Sequence, residues 1–183
     1  MAIKRLLEKY AEFDQVGFLA FHRFDMVLED LAAVKLLKNA AAKRAFEFFY
    51  LDRFHDARKE WNYWLTQLND REKLVAAKIA NEAGWYDRAI FALSRVGYMD
   101  DVNLRFPLAF DDEINRYAKD HKINPAWAFA ITRRESSFMS DAHSSAGAKG
   151  LMQVMPATAR WITRSRSLLR KNRHRLYEPE FNM

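Results

Sequence analysis

Apolar residues recur every three and four positions through the first hundred residues, the period of helices that bury one face. Ala45, Phe48 and Phe49 lead into Phe54, Ala57, Trp61, Trp64 and Leu68, drawing apolar stripes along successive helices. The pattern returns 32 residues later, where Phe54 and Ala57 fall on Tyr86 and Ala89. Each pair follows one helix and opens the next. The spacing therefore predicts a repeat of helix pairs across residues 1–104, read as helical almost without interruption. Stacked pairs of this size form solenoids, in which each repeat buries its apolar face against its neighbours. Two visible repeats are few for such an array, so a longer one is expected. At this spacing aromatics such as Phe46, Trp61, Tyr63, Trp64, Trp85 and Tyr86 read as core, not as a sugar-stacking platform.

The pattern changes at Asn103-Leu104-Arg105-Phe106-Pro107, which sets a boundary between residues 1–104 and 105–183. Leu108–Lys119 is predicted as a helix with Phe110, Ile114, Tyr117 and Ala118 on one side. His121-Lys122-Ile123 connects it to a second helix. Asn124 suits the N-cap and Pro125 the first helical position, and that helix runs to about Ser137. A polar loop follows, Ser140–Gly150, and another helix starts at Pro156. Only 5 Gly and 4 Pro punctuate the chain, which again favours helices over the many turns of a sheet protein. The expected fold is all-α: a solenoid-like helical repeat followed by a second helical domain.

Composition narrows the function classes. Half the residues are hydrophobic and 14% aromatic, enough to build a core. The net charge is +6, but seven Lys or Arg and no acid lie between Arg160 and Tyr177, so most of the excess sits in one strip. The body is close to neutral, which argues against a general nucleic-acid binder. The strip itself reads as a solvated tail, with contact to an anionic polymer as the competing reading. Absence of cysteine excludes disulfides and thiolate metal sites. The five histidines show no metal-ligand spacing, and no cofactor is implied. The first residues are charged, and the nearby apolar run Val16–Phe21 is too short for a signal-peptide core or a membrane span.

Candidate chemistry centres on Glu135. On the Pro125 helix, Trp127, Ala128, Ile131, Glu135 and Phe138 fall on one side at helical spacing, so a carboxyl stands on an apolar stripe. Burial there would disfavour the anion, and the negative end of the helix dipole lies close by. Both effects raise a carboxyl pKa toward the value a general acid for glycosidic cleavage needs. A structural ion pair with Arg133, Arg134 or a distant base is the alternative reading of the same stripe. Gly147 and Gly150 read as enablers of a tight loop, since no phosphate-binding glycine pattern surrounds them. Asp141 reads as a loop or capping residue.

Glu135-Ser136-Ser137-Phe138, then Ser144-Ser145-Ala146-Gly147-Ala148-Lys149-Gly150-Leu151-Met152-Gln153-Val154-Met155-Pro156-Ala157-Thr158-Ala159, resembles the signature of the soluble lytic transglycosylases, E-S-x-F followed by S-x-x-G-A-x-G-L-M-Q-x-M-P-x-T-A. The distance from glutamate to serine matches without a gap. Residues 1–104 also resemble the superhelical region ahead of the catalytic domain in the large members. The resemblance implies a lysozyme-like α domain from residue 105. It implies Glu135 as the catalytic acid, Ser144 as the residue orienting the substrate, and Gln153 and Met155 lining the sugar cleft. The implied substrate is peptidoglycan glycan strands, and the implied location is the periplasm or cell wall. Hydrolysis, as in goose-type lysozymes, is the neighbouring chemical alternative. Two departures stand out. Arg134 replaces the glutamine usual before the glutamate, and Glu178-Pro179-Glu180-Phe181-Asn182 resembles only the start of a later family segment, D-P-x-x-N-I-x-L-G. About half the expected domain is therefore missing, which leaves open an inactive fragment. The competing function is a non-catalytic helical-repeat module that binds peptidoglycan or a protein.

Overall fold

The computed structural model describes residue 36, residues 39–162 and residues 173–183. The N-terminal residues before that range and most of the basic strip, Arg164 to Lys171, lie outside the described residues. The chain divides between Leu104 and Arg105 into two compact units. Among the described residues the regular structure is helical, apart from two isolated β-bridges.

The first unit holds α1 (Ala40–Tyr50), α2 (Phe54–Thr66), α3 (Asp70–Glu82) and α4 (Tyr86–Val96). Helix α1 packs on α2, and α3 on α4. Side chains cap the first helix of each pair. The Asn39 carboxamide oxygen accepts from the Ala41 amide at 2.8 Å. Asn69 forms a reciprocal capping box with Glu72. Neither α2 nor α4 has such a cap, because a tight turn launches each of them.

That turn is the same in both pairs. Asp52 and Gly84 are left-handed, with φ 57° and 78°. The next amide in each case reaches back five residues, Arg53 N–H to Phe48 O at 2.9 Å and Trp85 N–H to Ala80 O at 2.8 Å. This six-to-one closure ties off the last carbonyls of the preceding helix. The 32-residue repeat is thus a repeat of backbone geometry as well as of side chains.

An aromatic cluster joins the two pairs. Phe49 of α1 stacks on Trp85 with ring centres 4.5 Å apart, and Phe46 meets Trp61 and Trp85 edge-on. Trp61, Trp64 and Trp85 are fully or almost fully buried, as expected of core. Tyr63 is the exception, 59% exposed on the outer side of α2. A polar tie crosses the same junction. Asp87 of α4 accepts from Arg88 at 2.9 Å and lies 3.5 Å from Arg58 of α2, with Asp87 and Arg88 both buried.

A single turn, α5 (Val102–Arg105), spans the division at Leu104 and Arg105, and the second unit contains α6 (Asp111–Asp120), α7 (Pro125–Ser136), α8 (Pro156–Ile162), a 3-10 turn at Arg173–Tyr177 and the short α9 (Pro179–Asn182). Helix α6 starts three residues later than the sequence pattern predicts. Phe110 adopts a left-handed conformation, φ 57°, and Leu108 is 69% exposed, so neither belongs to a buried helical face. Asp111, Asp112 and Glu113 then occupy the first turn, where the helix dipole favours acids. Ile114 and Ala118 form its buried stripe. Helix α7 begins as expected: the Asn124 side chain accepts from the Ala126 amide at 2.9 Å and Pro125 fills the first position.

Candidate active site

Helix α7 carries Glu135 in its last turn and ends at once, because Ser137 and Phe138 are both left-handed at φ 51° and 66°. Its buried stripe is Ala128, Thr132 and Ser136, not the stripe of large apolar residues. Thr132 and Ser136 can be buried because each hydroxyl donates to the carbonyl one turn back, to Ala128 O at 2.9 Å and Thr132 O at 3.1 Å. Small side chains also allow the neighbouring backbone to approach closely.

This rotation changes the environment expected for Glu135. The residue is exposed, and Trp127, two turns earlier on the same side, is 61% exposed. The burial predicted from the apolar stripe is therefore absent. The predicted ion pair is absent too: among the described residues no Lys, Arg or His lies within ion-pair distance of Glu135. Arg133 turns elsewhere, donating from Nε to the Arg105 carbonyl and placing its guanidinium 4.5 Å from the centre of the Phe106 ring. Burial, and secondarily Arg105, pushes the Arg133 guanidinium down from its ordinary value. Arg134, at the position where the family has glutamine, is exposed.

The segment after α7 folds into a compact loop. Antiparallel bridges join His143 to Lys149 and Lys149 to Val154. The Ser144 hydroxyl accepts from the Ala148 amide at 2.9 Å, and the Ser144 amide donates to Ala148 O at 2.9 Å, so this serine closes its own turn. Gln153 is left-handed at φ 50°, and its side-chain amide donates to Gly150 O at 2.9 Å. Met155, 39% exposed, directly precedes α8, while Leu151 is completely buried. Gly147 and Gly150 have φ 94° and 73°, the conformations for which glycine was expected. Asp141 lies half-buried in the turn after Met139. Ser144 and Gln153 thus share one loop with Met155 at its exit. Among the described residues none of the three hydrogen-bonds Glu135.

Two features escape the sequence reading. The first is Asn182, buried in α9, whose side chain makes three hydrogen bonds into or beside the loop. Its amide oxygen accepts from Met152 N–H at 2.6 Å, while its NH2 donates to Lys149 O at 2.8 Å and Leu176 O at 2.7 Å. The only sequence signal was its place in the Glu-Pro-Glu-Phe-Asn segment. The second is a pocket of about 410 Å³ lined by Phe106, Leu108, Phe129, Arg133 and Phe138 among others. Arg133 and Glu135 are two residues apart, about 200° around the helix, so this pocket opens on the side of α7 away from Glu135.

Among the described residues no group of His, Asp and Glu is arranged to hold a metal ion, and no helix is long and apolar enough to cross a membrane. Lys149 holds its ammonium 5.2 Å from the centre of the Tyr177 ring, and Arg175 pairs with Glu178 at 3.1 Å.

These features define the class: all-α, with paired-helix repeats followed by part of a lysozyme-like α domain. Residues 35–102 match the family model for the soluble lytic murein transglycosylase L domain, and residues 112–183 match the transglycosylase SLT domain. The chain belongs to the soluble lytic transglycosylase family. It is 33% identical over 141 residues to the soluble lytic murein transglycosylase of Salmonella typhimurium, covering 76% of this chain and 22% of the relative. To the Escherichia coli K12 protein of the same description it is 34% identical over 116 residues, 63% of this chain and 18% of that one. The chain thus spans about a fifth of the length of these curated relatives. Among solved structures, an inactive mutant of the lytic transglycosylase Slt from Pseudomonas aeruginosa aligns at 36% identity with a TM-score of 0.74, covering 82% of this chain and 25% of that chain. The 70 kDa soluble lytic transglycosylase of Escherichia coli shares the fold at 22% identity and a TM-score of 0.70, covering 97% and 32%.

Proposed function

We propose that this chain carries the acid-bearing part of a peptidoglycan lytic transglycosylase and that Glu135 is its catalytic acid. The observation that carries this reading is the exposed Glu135 carboxyl at the end of α7, with no ion pair among the described residues, ahead of the Ser144–Ala159 loop and helix. Glu135 protonates the glycosidic oxygen between N-acetylmuramic acid and N-acetylglucosamine as that bond breaks. The resulting carboxylate takes the proton of the muramic acid 6-hydroxyl while that oxygen closes on its own anomeric carbon. The product is a 1,6-anhydro sugar, and no water is consumed. Ser144 orients the substrate, and Gln153 and Met155 line the cleft. Glycan strands of the cell wall are the substrate, placing the activity in the periplasm or at the wall. The structure of a 70 kDa soluble lytic transglycosylase that resembles this chain in fold has been solved in complex with bulgecin A.

Incubation with purified peptidoglycan, followed by mass spectrometry, tests this reading. Anhydro ends are expected, and free reducing ends would assign hydrolysis instead. Glu135→Gln is expected to lower turnover by about 10²–10⁴-fold, the weight of general acid catalysis, while leaving glycan binding intact. Unchanged turnover in that variant would sink the assignment. The paired-helix repeat of α1 to α4 supports a second reading, a non-catalytic helical-repeat module that binds peptidoglycan or a protein. Pull-down by insoluble peptidoglycan without release of product distinguishes it.

A further inference from the structure

The loop that presents Gln153 and Met155 is not held by its own sequence alone. Its two β-bridges are isolated, and the Lys149 carbonyl and Met152 amide both turn to the Asn182 side chain. The Asn182 amide is oriented by its partners: two carbonyls face its NH2 and one N–H faces its oxygen, so a flipped amide would set oxygen against oxygen twice. The carboxylate of Asp could satisfy the Met152 N–H but neither carbonyl.

Packing reinforces the hydrogen bonds. At Gly150 an added Cβ would lie 2.1 Å from the Leu176 carbonyl oxygen and 2.4 Å from the Asn182 amide nitrogen. The glycine therefore lets α9 and the end of the 3-10 turn press directly on the loop backbone. Gly150 and Met152 flank Leu151, itself fully buried, and Gln153 follows Met152 in a left-handed conformation. The torsions that aim Gln153 are thus fixed on one side by the Met152 amide, and Asn182 holds that amide.

We infer that Asn182 is a positioning residue for the glycan site. It acts through the Lys149–Val154 loop to fix how Gln153 and Met155 meet the substrate, and it touches no substrate itself. This inference rests on the proposed glycan-cleaving function for its outcome, but its structural half is measured separately.

The experiment uses the full chain, as wild type, Asn182→Ala and Asn182→Asp. Amide hydrogen exchange is read at Met152, Gln153 and Val154 and, as an internal control, along α6 and α7. Binding is read with a soluble oligosaccharide of alternating N-acetylglucosamine and N-acetylmuramic acid. In Asn182→Ala the loop amides are expected to exchange about tenfold faster, the equivalent of one or more lost hydrogen bonds, and in Asn182→Asp less so at Met152, whose N–H the carboxylate still accepts, with the helices of the unit unchanged. Oligosaccharide affinity should fall by about tenfold in parallel. Equal acceleration in α6 and α7 would show a general structural role and overturn the inference. So would an unaltered Met152 in Asn182→Ala, or a loosened loop with unaltered affinity. If the wild-type chain binds no oligosaccharide, the proposed function falls and the role in the glycan site falls with it. Selective loosening at Met152 would then still establish that Asn182 sets the loop.

Discussion

Gly147→Ala and Gly150→Ala form a matched pair that separates backbone strain from collision. Both glycines lie in the same loop with left-handed φ, 94° and 73°. An alanine at either position meets about 1–2 kcal/mol of left-handed strain. Loss of glycine's freedom in the unfolded chain returns about 0.4–1 kcal/mol of this. At Gly147 a Cβ finds nothing within 4 Å, so strain is the whole effect, about 1 kcal/mol net. At Gly150 the Cβ would stand 2.1 Å from Leu176 O and 2.8 Å from the Asn182 side-chain carbon. Neither the backbone oxygen nor a residue held by three hydrogen bonds can move freely aside. Forcing them apart adds about 1–3 kcal/mol, and each Asn182 hydrogen bond broken adds about 1 kcal/mol. Gly150→Ala should therefore cost about 3–6 kcal/mol, several times its neighbour. Urea unfolding followed by circular dichroism measures the difference, with amide exchange at Met152 locating it. Equal losses in the two variants would refute the reasoning, since the close approach at Gly150 would then carry no energy.

Three further outcomes follow from the first unit and are open to the same unfolding assay. Asp87→Ala strands the buried Arg88 guanidinium and should destabilise the chain by about 3–5 kcal/mol, the cost of leaving a buried charge without its partner. A loss below about 1 kcal/mol would mean that water reaches Arg88. Asp52→Gly places the residue its repeat counterpart Gly84 already has in the same turn, and should stabilise by up to about 1 kcal/mol; a clear loss would show that the Asp52 side chain supports the turn. Glu82, at the end of α3, has its carboxyl pushed above its ordinary 4.5 by burial, with Lys78 opposing. A raised carboxyl means that the folded chain holds its proton more tightly, so ionisation above that raised value weakens folding. Glu82→Gln should accordingly raise the melting temperature at pH 7, though only slightly, because Glu82 is largely exposed and solvent screens its charge. The gain should vanish as pH falls below 4.5, and a gain that persists in acid would contradict this origin.

Which parts of this molecule could be read from residues alone follows from the range of the forces involved. The helix pairs were legible because a 3.6-residue period and bulky aromatics such as Trp61, Trp64 and Trp85 announce a buried face. Asn124 and Pro125 were legible because capping is settled within three residues. The motif singles out Glu135 as a candidate, but the buried surroundings expected for it are not those of the structure. Large apolar residues drew the eye to Trp127 and Ile131, whereas the buried face of α7 is built from Ala128, Thr132 and Ser136. Two hydroxyls count as polar in a sequence, yet both are satisfied one turn back along the same helix. The late start of α6 was hidden because no residue type marks Phe110 as left-handed. Asn182 was hidden for another reason. Its partners lie up to 33 residues away, and no local pattern reports such a contact.

The Asn182 contacts also impose an order of assembly. Loop residues 149–152 are synthesised about thirty residues before the side chain that fixes them. During translation the helices of the first unit can close their pairs early, since their contacts are short in sequence. The Lys149–Val154 loop has to wait for its Asn182 contacts until residue 182 has left the ribosome. The nascent chain would therefore complete its helix pairs well before it could fix this loop.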